Sequence, residues 1–160
     1  MIESSAFEGC SKLTSVVIPK SVEGIGEYAF GGCRQLRITV EKGNENYHVA
    51  GNCLIETTTK QLLWGRWNST IPADGSVICI GARAFAGCWE LTNIIIPNGV
   101  TGIEGFAFSG CDLMSVIIPR TVTFIGENAF DQNSSLSEIK VESGNTVYHS
   151  VGNCLMETAA

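Results

Sequence analysis

One five-residue pattern recurs along the chain and constrains its fold more than any other feature. Ala-Phe-x-Gly-Cys occurs four times and a fifth copy keeps only Ala-Phe; the phenylalanines are Phe7, Phe30, Phe85, Phe108 and Phe130. Their spacings are 23, 55, 23 and 22 residues, and 55 is one 23-residue unit plus 32 further residues. A period of roughly 20 to 50 residues is typical of a solenoid, whose coils bury a core only against their neighbours. We therefore predict stacked coils.

The fullest unit, residues 80–102, combines a short strand with a turn. Ile94 and Ile96 alternate with exposed positions, which predicts a strand that directs both side chains inward. Pro97 lacks a backbone N–H and is expected to end this strand. The Ala-Phe-x-Gly-Cys segment predicts a single helical or 3₁₀ turn, with Gly87 at positive φ where the turn ends.

The strand segments of three units match one another, which indicates that the strands stack in parallel, one per coil. These segments are residues 13–19, 91–97 and 113–119. The predicted fold is a repeat solenoid, mostly β, with one parallel β-sheet on one face and short helical or 3₁₀ turns and loops on the opposite face. Residues 1–160 are expected to form a single solenoid, with units near 2–24, 25–79 (including an island, 43–79), 80–102, 103–124 and 125–160.

The complete unit resembles a known repeat family. Leu-x-x-Ile-x-Ile-Pro-x-x-Val-x-x-Ile-Gly-x-x-Ala-Phe-x-x-Cys, present with small departures from Leu13 to Cys33, is similar to the BspA-like (Treponema-type) leucine-rich repeat. The island resembles the longer variant unit of that family, and residues 43–57 return 101 positions later as 144–158. Asn133 in place of Cys departs from the pattern. The resemblance implies extracellular or surface-anchored microbial proteins that bind proteins and serve adhesion.

Charge and hydropathy exclude several classes of partner. The net charge of −6 disfavours nucleic acid, which requires clustered Lys and Arg. No apolar run approaches the ~20 residues needed to cross a bilayer, so membrane insertion is not expected. The chain begins and stops within units, which we interpret as an excerpt of a longer protein. End-to-end self-association through the open ends is the alternative interpretation.

Seven cysteines and two histidines are the residues in which chemistry would be sought first. Cys10, Cys33, Cys88 and Cys111 share one repeat column, which predicts a buried ladder of free thiols; disulfides or a metal or redox site are the alternatives. His48 lies near Cys53 in the island, and the pair recurs as His149 and Cys154. A nucleophile–base pair could be drawn there, but recurrence at equivalent positions favours shared architecture.

The chain contains two formal glycosylation sequons, Asn68-Ser-Thr and Asn133-Ser-Ser. Asn133 belongs to the interior column, where a glycan does not fit. The acidic residues are scattered singly, and no cluster of acid, base and nucleophile is evident. We predict no catalytic residues, no cofactor and no metal.

An exposed strip along the predicted sheet is the best candidate for binding. In each strand the residue between two inward positions faces outward, and three of these residues are apolar where solvent favours polar groups. Trp and Arg residues of the island, which are common at interaction hot spots, are expected on the same sheet between the strands of Thr39 and Ile95. The candidate partner-binding residues are Val17, Thr39, Trp64, Arg66, Trp67, Ile95, Ile117 and Lys140.

These observations favour a non-catalytic module that recognises a protein, or alternatively a glycan, through the sheet face and the island. A second interpretation is a structural spacer with no ligand of its own. The resemblance implies an extracellular or cell-surface location.

Overall fold

The computed structural model describes residues 1–152 and 154–158; Asn153, which belongs to the repeated island opening, and Ala159–Ala160 at the end of the last predicted unit lie outside them. The described residues form strands and turns, and no helix long and apolar enough to cross a membrane is found among them. The strands are β1 Ser15–Ile18, β2 Arg37–Val40, β3 Tyr47–Ala50, β4 Cys53–Glu56, β5 Gln61–Trp64, β6 Cys79–Ile80, β7 Gly102–Ile103, β8 Ser115–Ile118, β9 Phe124–Ile125, β10 Glu138–Val141, β11 Tyr148–Val151 and β12 Cys154–Glu157.

The predicted strand face is present, but it is not one continuous sheet. β1 pairs with β2 and β8 with β10, both in parallel and in the register expected from the repeats. Between these pairs, residues 94–96 are extended without being part of a ladder. Island residues 69–71 lie along 94–96 and share a groove with them. The island thus divides the strand face into two parts, and the single parallel sheet predicted from the sequence was wrong in this respect.

A second ladder holds the coils together on another side. Its strand order is β3-β4-β5-β6-β7-β9, with β5, β6, β7 and β9 in parallel and β3-β4-β5 antiparallel. Gln61 and Leu62 of the island pair with Cys79 and Ile80 of the next coil. The island therefore supplies a coil of its own to the stack, with the β3–β4 hairpin attached to it.

Hydrogen-bonded turns, and not helical turns, carry the Ala-Phe segments. The residue before each Ala-Phe has positive φ; these residues are Ser5, Tyr28, Arg83, Phe106 and Asn128, with φ of 55° to 57°. An L-residue in the left-handed region interrupts a right-handed helix, so the chain forms successive turns instead. Positive φ at Gly87, 75°, is as predicted.

The phenylalanines stack, but in two groups. Ring centroids are 5.4 Å apart for Phe7–Phe30, 5.1 Å for Phe85–Phe108 and 5.5 Å for Phe108–Phe130. The island coil separates the two stacks, and the buried core divides into two clusters at the same place. A solenoid with a leucine-rich-repeat core is confirmed, whereas one unbroken phenylalanine column is not formed.

Candidate functional site

Five of the predicted binding residues lie exposed on the strand face. Val17, Ile95 and Ile117 expose 61%, 83% and 54% of their surface. Val17 is the register partner of Thr39, and Ile117 is the register partner of Lys140, so each pair stands side by side on adjacent strands. We call these five residues the strand-face strip. Their outward orientation is confirmed, whereas their role in binding stays a prediction.

Electrostatics contribute little to the strand-face strip. Lys140 is its one charged member, and its ammonium nitrogen lies 2.9 Å from the carboxylate of Glu138. Both side chains are about half exposed, so the ion pair is worth roughly 0–1 kcal/mol. Four of the five residues of the strip are β-branched and three are apolar; Val17, Thr39, Ile117 and Lys140 lie on short parallel strands, and Ile95 lies between the two strand pairs.

Of the three island residues, Trp64 and Arg66 line a groove together with Thr39 of the strand-face strip, whereas Trp67 lies outside that groove. Trp64 is almost fully buried and packs with Phe30, Tyr47 and Leu54 in the core. The backbone explains this position: the Gly65 N–H donates to the carbonyl of Ala84, as the N–H groups of Phe7, Phe85 and Phe108 do to alanine carbonyls in other coils. Gly65 consequently occupies the phenylalanine column, and Trp64 supplies the missing core volume.

Arg66 and Trp67 lie at a corner of the solenoid. A guanidinium nitrogen of Arg66 donates to the Leu36 carbonyl at 3.0 Å, which ties the island to the preceding coil. Trp67, exposed by 47%, lines a depression together with Trp89, exposed by 49%. We call this depression the corner notch; its main lining residues are Arg34, Trp64, Arg66, Trp67, Arg83 and Trp89.

The sequence prediction missed Trp89, although a signal was present. Trp89 directly follows the column cysteine, at a position where the other units have Ser11, Arg34, Asp112 and Ser134. A large aromatic residue at a corner that is otherwise polar indicates a local requirement outside the repeat pattern. The Arg34 guanidinium carbon lies 5.3 Å from the Trp89 ring centroid, within the range of a cation–π contact.

The cysteine column contains free thiols as predicted, and those of Cys33, Cys88 and Cys111 donate to backbone carbonyls, but Cys10 at the end of the column is exposed and the prediction of burial was wrong there. Cys33 donates to the Phe7 carbonyl at 3.0 Å, and Cys111 donates to the Phe85 carbonyl at 3.3 Å. All seven cysteines are free. Burial raises the pKa of Cys111 to about 12, and burial together with Glu90 raises the pKa of Cys88 to about 12. These thiols stay protonated at neutral pH, where a neutral thiol is a weak nucleophile.

Asn133 takes the place of the cysteine in the last coil. Its amide nitrogen donates to the carbonyls of Phe108 and Phe130 at 2.8 and 2.9 Å, and its oxygen accepts from Leu113 N–H at 3.1 Å. The Asn133 amide thus hydrogen-bonds to the backbone of its own and the preceding coil, which agrees with its predicted interior position. Asn68 in the other sequon is exposed.

The histidines and cysteines of the islands do not form a reactive pair in the described residues. His48 Nδ1 lies 3.0 Å from Thr57 Oγ1, and His149 makes the equivalent contact with Thr158 at 3.2 Å. Cys53 is buried and directs its thiol at the carbonyls of Gly51 and Thr70, and burial raises its pKa to about 11. No group of three metal-ligating side chains occurs in residues 1–152 and 154–158.

Comparison with solved structures gives bacterial leucine-rich-repeat proteins. A leucine-rich repeat protein from Eubacterium ventriosum aligns over 83% of this chain with a TM-score of 0.70 and 28% identity. A leucine rich cell surface protein from Faecalibacterium prausnitzii aligns over 99%, with a TM-score of 0.60 and 27% identity. The pneumococcal vaccine antigen PcpA, at 20% identity, aligns over 82% with a TM-score of 0.62 and shows the shared fold alone.

The chain covers only part of these neighbours: 40%, 46% and 40% of their lengths, respectively. Comparison with curated proteins gives no significant match. The family model for the BspA type leucine rich repeat region matches in six copies, over residues 1–60 and 67–157. The family model thus finds one repeat more than the five units that contain a phenylalanine. The additional repeat agrees with the coil that the island supplies. The chain belongs to the BspA type leucine-rich-repeat family.

Proposed function

We propose that this chain is a non-catalytic binding and adhesion module of a microbial surface or secreted protein, and that it recognises a macromolecule through the strand-face strip and the island. The observation that carries the proposal is the exposure of Val17, Ile95 and Ile117 on one face. Exposed apolar residues that recur on one surface indicate an interaction site, since solvent alone would favour polar side chains there. A protein partner fits this surface, and a glycan is the alternative ligand.

Grooves on either side of the island support this function. One lies between β2 and the β3–β4 hairpin, and the other lies between residues 69–71 and residues 93–96. Ile95 and Ile117 line the second groove. Loops mounted on a rigid scaffold are where binding residues concentrate. The surface location is supported by the Faecalibacterium neighbour, which is described as a cell surface protein.

A binding assay against a panel of host extracellular-matrix proteins tests the proposal. The triple variant Val17→Ser, Ile95→Ser, Ile117→Ser is expected to lose at least tenfold in affinity while its thermal unfolding stays cooperative. The control is Ile78→Ser with Phe124→Ser, which removes exposed apolar groups beside β6 and on β9, away from the strand face. Equal binding by the parent, triple variant and control would refute the role of the strand face.

A structural spacer is the competing function, since regular coils whose interior side chains serve only the packing of the stack suit that function equally well. It predicts that neither matrix proteins nor glycans bind with saturation, whatever the variant. End-to-end pairing of copies also remains a proposal. Sedimentation at increasing protein concentration distinguishes a monomer from such an assembly.

A further inference from the structure

The corner notch lies where the island coil interrupts the backbone hydrogen bonds that join the corners of neighbouring coils. Gly9 N–H donates to the Gly31 carbonyl, and Gly87 N–H donates to the Ser109 carbonyl, so neighbouring corners are normally tied together. Within the described residues, no such bond joins the corner at Gly32 to the corner at Gly87. The island coil, with Gly65 in place of a phenylalanine, leaves an opening between these two corners that tryptophan and arginine side chains line.

The composition of the corner notch is unlike that of the rest of the surface. All three tryptophans of the chain and three of its five arginines line it, in a protein of net charge −6. Glu90 is the carboxylate among the lining residues. Aromatic residues and arginine are enriched at the centres of protein interfaces. The notch therefore joins an apolar floor and walls to a local excess of positive charge.

Two guanidinium groups of the notch lie over aromatic rings, and that of Arg66 donates to the Leu36 carbonyl. The Arg34 guanidinium carbon lies 5.3 Å from the Trp89 ring centroid, and that of Arg83 lies 5.1 Å from the Phe106 ring centroid. Arg83 has one long ion pair, 3.8 Å to Glu27, and both side chains are largely exposed. Arg34 has no ion pair in the described part of the chain. A cation–π contact does not use the N–H groups of a guanidinium, which can still donate to an anionic group.

Hydrogen-bonding capacity identifies the ligand. The notch offers many donors and few acceptors, because the Gly31 carbonyl already accepts from Gly9 and the Gly65 carbonyl accepts from the Cys88 thiol. A neutral sugar presents hydroxyl donors that require acceptors, so it fits poorly. A carboxylate beside an aliphatic or aromatic group fits both the guanidinium edges and the indole walls.

We propose that the corner notch binds a peptide segment of a partner protein in which an acidic residue adjoins a large apolar residue. This inference rests on the proposed function, since it requires that the chain binds a protein. It assigns the recognition of acidic, apolar peptide to a surface distinct from the strand-face strip. The position of all three tryptophans at the notch makes their emission a direct reporter of occupancy.

The test uses the full chain and a pair of synthetic probes, acetyl-Gly-Glu-Phe-Glu-Gly-amide and its Gln counterpart. The change in tryptophan emission is expected to saturate at millimolar or lower concentrations of the Glu peptide. The chain should bind the Glu peptide about tenfold more tightly than the Gln peptide. Arg34→Gln and Trp89→Ala should each weaken binding about tenfold, whereas the control Arg120→Gln should leave it within about twofold.

Three results would overturn the proposal: no saturation with the Glu peptide, equal affinity for both peptides, or saturation only with a glucuronate-containing oligosaccharide. The strand-face triple variant separates this inference from the proposed function. It should retain peptide binding at the notch while losing matrix-protein capture. If capture survives Arg34→Gln and Trp89→Ala and the peptides do not bind, the notch inference fails and the strand-face function stands.

Discussion

The coil around Phe108 and the coil around Gly65 belong to the same stack, but different side chains fill the core in each of them. Phe108 is fully buried between two phenylalanine rings, and its backbone is bonded to the next coil through the Ala129 carbonyl. Gly65 keeps the corresponding backbone bond but carries no side chain, and Trp64 fills the core from the neighbouring position. A coil of the solenoid thus requires the backbone hydrogen bond to the next coil and a side chain that fills the core. That side chain can be one other than phenylalanine.

The same comparison shows where binding surfaces arise. In the regular coils the repeated apolar side chains pack against neighbouring coils, and the outward residue of each strand is exposed. At the island no backbone bond joins the corners at Gly32 and Gly87 within the described residues, and Trp and Arg side chains line the opening. Binding groups can be added there at little cost to the stack.

The strongest test is whether the island coil is as much a part of the core as the regular coils. Trp64→Ala and Phe108→Ala should each lower the free energy of unfolding by about 3–5 kcal/mol, because both remove a buried aromatic side chain. The exposed Trp67→Ala should change it by about 0.5 kcal/mol or less. Denaturant unfolding measures all three. A neutral Trp64→Ala would show that the island is a detachable loop.

A smaller effect is expected from adding one methyl group at the boundary between the two kinds of coil. A Cβ at Gly65 would lie 2.1 Å from the Phe85 ring, whereas a Cβ at Gly105 would meet its nearest neighbour at 3.4 Å. Gly65→Ala should therefore cost about 1–3 kcal/mol through overpacking. Gly105→Ala serves as the control in the same unfolding experiment. Equal stability of the two variants would mean that the coils are not tightly apposed at Gly65.

The cysteine column offers a test within the regular coils. Asn133→Ala should lower the free energy of unfolding by about 1–2 kcal/mol, because it leaves the Phe108 and Phe130 carbonyls without this donor. Asn133→Cys should lose less, since it restores the side chain found at this column in four other coils. Chemical denaturation of both variants measures the difference, and an opposite ranking would contradict a shared ladder.

The smallest effect is a pH dependence on the alkaline side. Burial raises the pKa of Cys111 from 9.0 to about 12, so in the folded chain its thiol stays protonated while in the unfolded chain it ionises above pH 9. The stabilisation from this group is complete below pH 9 and is lost as the pH rises toward 12, because the unfolded state then binds fewer protons.

In Cys111→Ala the fall in the free energy of unfolding between pH 9 and 11 should be shallower, by up to about 1 kcal/mol per pH unit. Unfolding titrations at several pH values measure the slope. Cys10→Ala, which removes an exposed thiol, is the control. Identical slopes in Cys111→Ala and the parent would contradict a buried thiol that resists ionisation.

Much of the fold could be predicted from the sequence because identical coils place equivalent residues in equivalent surroundings. The thiol ladder, the parallel stacking and the outward orientation of Val17 and Ile117 all follow from repetition. The turn type did not, because positive φ falls on residues as different as Tyr28 and Arg83 and no residue type signals it.

The candidate site was predicted only in part for a related reason. Ile95 could be placed from its position between two inward residues, whereas Trp64 and Trp67 belong to a segment that occurs once in the described coils. Their positions depend on which backbone atoms of the island pair with the next coil. No periodicity carries that information.

By itself, the sequence determined that the coils stack, which side chains face inward and which family the chain belongs to, since a repeated pattern can satisfy its hydrogen bonds and bury its apolar groups in only one common way. Tertiary structure alone decided that Gly65 replaces a phenylalanine, that Trp64 is buried and that Trp67 lines the corner notch together with Trp89 and Arg34. Those contacts join residues far apart in sequence across the site where the repetition is interrupted.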